Sequence, residues 1–293
     1  DFERCLNAGA LKSAFGGWSS VGGIIGGIMT YGFAWGGTHD GKIKILNCVN
    51  LGDLNAANAF AGGIVGAPFQ FNTQNSELYF ENCANYGAVT GKDLTAGITP
   101  YAGWYGLSGI IFKNCLNAGA VTSTAGSASG IIARINKLEE KTYSGTPNPT
   151  LIEGCVNIGA IISSGDNGTA SGILGVVDTD DTTIKNCMNM GAITGVKASA
   201  YIMPEATNTV TAEGNVYFGE ADDSMKYGSA ADIAVIEERI VAVSALVPFD
   251  SSSLCDLVKE ASEFNSADFI GGWDAFAAAL EAAKLVANRA SSQ

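Results

Sequence analysis

The residues with the greatest chemical potential in this sequence are its cysteines. Six of the seven occur in one repeated phrase, Cys-x-Asn-x-Gly-x-aliphatic. The copies begin at Cys5, Cys48, Cys83, Cys115, Cys155 and Cys187. Thiols can bind metals or form disulfides, but the chain has no Cys-x-x-Cys pair and a single histidine. We therefore expect buried free thiols rather than metal ligands.

Aromatic residues form a second set with chemical potential. They follow the Gly-Ile-Ile-like phrase of each repeat, in segments that we interpret as long, variable loops. The candidates for ligand binding are Tyr31, Phe33, Trp35, Phe69, Phe71, Tyr101, Trp104 and Tyr105. Sugar rings pack their apolar faces on aromatic side chains, so these residues predict a glycan-binding strip. The alternative is that they pack on one another and cover a sheet edge or a protein neighbour.

Carboxylates offer a third kind of chemistry. Asp178, Asp180 and Asp181 could hold Ca²⁺, which takes carboxylate and carbonyl oxygens, although the same residues are ordinary in turns. The carboxylates that could serve glycoside hydrolysis, Asp40, Glu139, Glu140 and Asp178, are scattered along the chain. No Gly-His-Gly or Arg-x-Lys phrase of the polygalacturonase type is present, and His39 lies in a turn-like Thr-His-Asp-Gly.

The repeat itself predicts the elements that position these residues. Successive cysteines are 43, 35, 32, 40 and 32 residues apart, and periods of this size indicate a repeat architecture. Each repeat has three short apolar phrases with strand-like alternation and Gly or Asn punctuation. We predict a mainly β chain: a right-handed parallel β-helix over residues 1–228, with three strands per coil and about seven coils. A propeller would need four strands per blade.

Stacking gives each repeated residue a predicted role. Equivalent cysteines point the same way, which disfavours the disulfide torsion. Asparagine amides at a corner can bond to backbone groups of the adjacent coils. A seventh copy places Asn215 where the cysteine was, and we expect a terminal, partly exposed coil there.

The composition changes near residue 228. Apolar residues at helical spacing, including Ile236, Ile240 and Val243, predict a helix within a linker region, residues 229–250. Two further helical patterns follow in residues 251–293. We therefore expect a small C-terminal α-helical module.

Two family resemblances follow from these phrases. Residues 1 to about 219 resemble the GLUG-type repeat of bacterial surface proteins, with its Gly-Gly-Ile-Val-Gly, Ile-x-Asn-Cys and Asn-x-Gly-x-Val phrases. Residues 251–293 look like the first two helices of a FIVAR module, so we expect the chain to be part of a longer protein. The resemblances imply a secreted, wall-attached or cell-surface protein, such as one of a gut bacterium.

Charge narrows the expected partners. The formal net charge is −13, which argues against nucleic acid and anionic membranes as partners. No run of eighteen apolar residues is present, so membrane insertion is not expected. Free thiols normally indicate the cytosol, but an anaerobic extracellular niche with shielded thiols removes that conflict. We expect a monomeric unit within a larger multidomain chain.

Three functions remain open at this point. The leading hypothesis is a non-catalytic adhesion or carbohydrate-binding module for host or dietary glycans or for a host surface protein. The second is a polysaccharide-degrading β-helix enzyme, a lyase or glycoside hydrolase. The third is a stalk that presents other domains. No cofactor is expected beyond the Ca²⁺ considered above.

Overall fold

A computed structural model describes residues 1–14, 16, 19–31, 41–73, 77–106, 109–138, 149–204, 206, 208–218 and 227–246. The helical module expected in residues 251–293 lies outside these residues. Within them, every pairing between named strands is parallel, and each sheet contains one strand from each coil it crosses. The prediction of a parallel β-helix is confirmed.

Five parallel sheets, here S1 to S5 in the order in which the chain visits them, enclose the core. S1 contains β1 (Phe2–Glu3), β6 (Lys42–Leu46), β11 (Glu77–Glu81), β16 (Gly109–Lys113), β21 (Thr150–Glu153), β26 (Thr182–Lys185) and β30 (Val210–Glu213). S2 contains β2 (Leu6–Asn7), β7 (Val49–Asn50), β12 (Ala84–Asn85), β17 (Leu116–Asn117), β22 (Val156–Asn157), β27 (Met188–Asn189), β31 (Val216–Tyr217) and β32 (Ser229–Ala230).

The remaining three sheets complete each coil. S3 contains β3 (Leu11–Lys12), β8 (Leu54–Ala56), β13 (Val89–Gly91), β18 (Val121–Ser123), β23 (Ile161–Ser163) and β28 (Ile193–Gly195). S4 contains β4 (Ser20–Gly22), β9 (Phe60–Gly62), β14 (Leu94–Ala96), β19 (Ser127–Ser129), β24 (Thr169–Ser171) and β29 (Ala198–Ala200). S5 contains β5 (Ile28–Tyr31), β10 (Pro68–Thr73), β15 (Thr99–Gly106), β20 (Ile132–Leu138) and β25 (Leu174–Val177).

S1 crosses seven coils, as the repeat predicts. The three predicted apolar phrases lie in S1, in S3 and at the corner that leads into S5. S2 and S4 are additional strands of two or three residues, so the coil is divided more finely than its apolar phrases indicate. These strands are short because the chain turns on both sides of them.

Aliphatic side chains and the cysteines fill the interior. The thiols from Cys48 to Cys187 are free and buried, and Cys5 in the first coil is half-buried. The rings of Phe80 and Phe112 stack across neighbouring coils with centroids 4.7 Å apart. The interpretation of the repeat cysteines as buried free thiols is confirmed.

The chain turns from S1 into S2 through a residue with positive φ. Asn47, Asn82, Asn114 and Asn186 have φ between 49° and 54°. Glycines, Gly154 and Gly214, occupy the equivalent position of two other coils with φ of 64° and 62°. Asparagine and glycine tolerate the left-handed region best, which explains the Asn that precedes each of four cysteines.

The asparagine two residues after each cysteine lies inside the coil and not at an exposed corner. From Asn7 to Asn157, each Nδ2 donates to the Oδ1 of the asparagine in the next coil, at 2.7 to 2.9 Å, so five hydrogen bonds join six asparagines. Each Nδ2 also donates to the carbonyl of the glycine two residues later, at 2.8 to 3.0 Å. We call this six-residue file the asparagine ladder.

Glycines of the Gly-Ile-Ile phrases pack directly on this ladder. A Cβ added to Gly97 would lie 2.2 Å from Asn117 Oδ1 and 2.3 Å from the carbonyl oxygen of Gly130. Gly63 and Gly172 stand in the same relation to the asparagines of their neighbouring coils. These positions require glycine because a side chain there would enter space that the amides occupy.

The seventh coil ends the ladder. Asn215, expected to be partly exposed, is only 3 % exposed. Its Oδ1 accepts a hydrogen bond from Cys187 N at 2.9 Å, and its Nδ2 donates to the carbonyl oxygens of Ile184 and Tyr227. The Asn215 amide thus stands where the other coils have a thiol. Its three hydrogen bonds join the last coil to the preceding coil and to the segment that follows.

One helix packs against this end of the stack. Helix α1 (Ile233–Leu246) begins after Asp232, whose Oδ1 accepts a hydrogen bond from Val235 N at 3.1 Å as an N-cap. Arg239 donates to the carbonyl oxygens of Cys187 and Gly214. The predicted helix is confirmed, and the preceding Ser229 and Ala230 form an eighth strand of S2.

We expect the substitution Asn117→Asp to destabilise the fold strongly. It keeps the shape but removes the donor, so a carboxylate oxygen would face the acceptor oxygens of Gly119 and Asn157, now 2.9 and 2.7 Å from Nδ2. The expected loss in free energy of unfolding at neutral pH is about 3 kcal/mol or more. Urea unfolding measures it. Asn7→Asp, at the half-buried end of the ladder, is the matched control with a smaller loss; equal losses would contradict the ladder's role.

Two buried hydroxyl groups are expected to lower the stability of the fold, so their removal should stabilise it. Thr150 and Thr182 are paired in adjacent coils, and neither Oγ1 has a hydrogen-bond partner among the described residues. Replacing either by valine keeps the shape and removes an unsatisfied polar group, so unfolding free energy should rise by about 1 kcal/mol. Thermal unfolding measures it. Thr99→Val is the control, because its hydroxyl donates to the Tyr101 carbonyl at 3.2 Å and its loss should destabilise.

Candidate functional site

S5 contains most of the aromatic residues that the sequence marks as candidates. Tyr31 lies in β5, Phe69 and Phe71 lie in β10, and Tyr101, Trp104 and Tyr105 lie in β15. These segments were expected to be loops, but the structure extends the parallel pairing through them. Phe33 and Trp35 lie outside the described residues.

The register aligns three of these residues in one column. Tyr31 pairs with Phe71, and Phe71 pairs with Tyr105, so aromatic residues occupy the same position in three successive coils. The spacing between paired strands is about 4.8 Å. Next to this column, Trp104 pairs with Gln70 on one side and with Lys137 on the other.

Tyr101 is only 4 % exposed. It packs in a small cluster with Phe60 and Ala67, outside the central core. Its ring therefore stabilises the junction of S4 and S5 and offers little surface to a ligand.

Polar residues occupy S5 in the two coils that follow the aromatic column. Arg134, paired with Tyr101, donates from Nε to Asp178 Oδ2 at 2.7 Å. Asn136, paired with Gly103, is 9 % exposed, and its Oδ1 has no partner among the described residues. Sequence reasoning missed the Arg134–Asp178 pair because the two residues are brought together only by the stacking of β20 and β25.

The three aspartates considered for Ca²⁺ have other roles. Asp178 binds Arg134, and Asp180 Oδ1 accepts a hydrogen bond from Thr209 N at 2.8 Å. Asp181 occupies a turn with φ of 61°, and its carbonyl accepts from Thr150 N. In the part of the chain that the structure describes, no group of three or more His, Cys, Asp or Glu residues could hold a metal ion. The calcium assignment stays a prediction without structural support.

Most of the carboxylates considered for glycoside hydrolysis lie outside the described residues. Asp40, Glu139 and Glu140, together with His39, lie outside the described residues, and Asp178 is paired with a guanidinium. The described residues therefore bring no predicted catalytic pair together.

Connection lengths vary most at one corner of the coil, although the connection from S3 to S4 also ranges from two to seven residues. The connection from S1 to S2 always contains two residues and that from S2 to S3 always three, whereas the connection from S5 to S1 ranges from two to eleven. The longest ones follow β5 and β20. The longest connections therefore lie next to S5, the sheet that contains the aromatic column.

An alternating ladder of charge runs along S1, and sequence reasoning missed it. Glu81, Lys113, Glu153, Lys185 and Glu213 pair in register across five coils. Lys185 Nζ lies 2.9 Å from Glu153 Oε1. The signal was available in the sequence, because each residue stands two positions before the cysteine or Asn215. The alternation favours the observed stacking order. It also makes this face a poor binding surface for a ligand whose charges are all of one sign.

The thiols are unsuited to nucleophilic chemistry. Burial raises the pKa of Cys83, Cys115 and Cys155 well above the ordinary thiol value, and the adjacent cysteines contribute to these pKa shifts. The thiolate is the reactive form, so these groups are packing elements.

Comparisons with known proteins identify no relative. No protein-family model, no curated protein and no solved structure matches this chain. Among the helices in the described ranges, none has the length and apolar character needed to cross a membrane.

The thiol pKa values predict loss of stability in alkali. An unfolded chain ionises its thiols near pH 8.5, while the folded chain keeps the three central thiols protonated. Unfolding therefore releases protons above that pH, and stability present below it is lost as pH rises. Cys115→Ala should reduce the slope of unfolding free energy against pH by about 1.4 kcal/mol per unit above that point. Urea titrations at several pH values measure it; an unchanged slope would contradict the assignment.

Proposed function

We propose that this protein is a non-catalytic adhesion or carbohydrate-binding module of a larger secreted bacterial protein. The observation that carries the proposal is the column formed by Tyr31, Phe71 and Tyr105, with Trp104 beside it, in adjacent strands of S5. A repeated aromatic position suits an extended ligand that offers a repeated apolar face. Successive units of a glycan chain have that character.

The rest of the coil supports this choice of surface. S1 is occupied by alternating charges, and the interior is filled by the core and by the asparagine ladder. S5 adjoins the connection whose length varies most from coil to coil, from two to eleven residues. Binding residues are commonly found on variable segments held by a rigid scaffold.

The charge of the chain is consistent with glycans as partners. A net charge of −13 repels nucleic acid and strongly acidic polymers. Hydroxyl groups of neutral sugars need hydrogen-bond donors and acceptors, and the partly exposed Arg134 and Asp178 offer them in the coils next to the aromatic column. The resemblance of the repeat to GLUG-type sequences supports a location at the cell wall or cell surface.

A glycan array tests the proposal. The wild type should bind at least one of a panel of host glycans and plant polysaccharides. Trp104→Ala and Tyr105→Ala should each weaken that binding by about tenfold, because each removes a large apolar contact. Tyr79→Ala is the matched control, since Tyr79 lies on S1, and it should bind as the wild type does.

Three results would oppose the proposal. Absence of binding to every polysaccharide would leave the stalk hypothesis, and equal losses in the S5 and S1 variants would indicate a fold defect instead of a lost site. Circular dichroism of each variant shows whether such a fold defect is present. Release of shorter products from a bound polysaccharide would replace the non-catalytic assignment with the enzymatic one.

A further inference from the structure

The outward positions of S1 form two files that run along the stack. Every second residue of these strands packs in the core, and the pairing continues from β6 to β26 without a register shift. One file is the alternating charge ladder from Glu81 to Glu213. The other lies two residues earlier in each strand and contains Tyr79, Ile111 and Leu151. We call this second file the S1 apolar strip.

The strip and the charges beside it both reach the surface. Tyr79, Ile111 and Leu151 are half-buried. The side chains of Lys113 and Glu153 are 35 % and 30 % exposed. Protein–protein interfaces commonly combine an apolar centre with a polar rim. The outer face of S1 has both parts of that arrangement.

The order of charges on S1 is complementary to its own reverse. Glu81, Lys113, Glu153 and Lys185 occupy the third to sixth coils. A two-fold axis parallel to the strands, placed between β16 and β21, reverses the order of the coils and keeps each residue in its file. Lys113 then faces Glu153 of the second copy, and Glu81 faces Lys185. This is the self-complementarity that a two-fold interface requires.

The same axis also matches the apolar strip to itself. It places Ile111 against Leu151 of the second copy, at the centre of the contact. Moving the axis by one coil keeps opposite charges together but sets Leu151 against Lys44 or Thr183. An axis along the stack sets the charge ladder against the opposite edge of S1. Only the first arrangement therefore satisfies both files.

We propose that the outer face of S1 is a self-association surface, on which a second copy of this chain packs with its stack antiparallel. The face is roughly 15 Å by 29 Å over six strands, so the pair buries roughly 900 Å² in total. That area is typical of weak, reversible association. The expected dimer departs from the monomer that the sequence indicates, and it leaves S5 free.

An exchange of charges tests the contact between Lys113 and Glu153 of the second copy. Lys113→Glu and Glu153→Lys each place like charges opposite one another at two symmetric positions, so each should weaken self-association by about tenfold or more. An equimolar mixture of the two variants restores opposite charges at both positions, and a mixed dimer should form as readily as the wild-type dimer. Sedimentation equilibrium at concentrations up to about 500 µM measures each case.

Two further variants separate the interface from general effects. Leu151→Ser removes the central apolar contact and should weaken self-association by about tenfold. Lys92→Glu makes the same change of charge as Lys113→Glu at an exposed position between S3 and S4, and it should leave self-association unchanged. Thermal unfolding establishes that each variant is folded before its association is compared.

Recovery on mixing is specific for this arrangement. A shifted axis places Lys113 opposite Glu81 or Glu213, and Glu153→Lys changes neither of these. A wild type that stays monomeric at about 500 µM would overturn the proposal. So would folded Lys113→Glu and Glu153→Lys variants that fail to associate when mixed. Equal weakening by Lys92→Glu would overturn it as well, because net charge and not S1 would then control association.

Discussion

The asparagine ladder is the constraint on which the rest of this structure depends. The amides from Asn50 to Asn189 are buried, and a buried amide must be hydrogen-bonded to avoid a large desolvation cost. Only the asparagine of the next coil and the glycine two residues later offer partners at the right distance. The coils therefore favour one register, because a shift by one residue would break every amide–amide hydrogen bond between coils and leave each buried amide only its bond to the glycine carbonyl of its own coil.

Other repeated features follow from that register. Glycine is required in the Gly-Ile-Ile phrase because its backbone lies against the amides. The residue before the cysteine adopts positive φ, because the chain must turn there to carry the asparagine inward; asparagine or glycine occupies this position after the first coil, which has Arg4. Once these positions are fixed, the aliphatic and thiol side chains align into continuous files, and opposite charges meet along S1.

Much of this could be predicted from the sequence because the fold repeats. Six copies of one phrase reveal which positions are constrained, so the parallel coil, the buried thiols and the C-terminal helix were all predictable. The five-sheet division was not, since strands of two residues such as Val49–Asn50 have no periodicity to detect. The Arg134–Asp178 pair was equally hidden, because it depends on where β20 and β25 stop and not on a shared phrase. The aromatic candidates were found by residue type, which did not reveal that Tyr101 is buried.

Because the repeated positions have structural roles, the repeat by itself gives little information about function. Positions that build the ladder and the core are occupied in every coil and are unavailable for recognition. Recognition must use positions that vary, and in this protein the connection lengths vary most between S5 and S1. A surface of this kind can change its ligand by altering one connection while every ladder residue stays the same. The aromatic column of S5 lies next to that connection. Its residues are held at the fixed spacing between coils, while the adjoining connection varies in length. This combination favours S5 over the charged face of S1 as the binding surface.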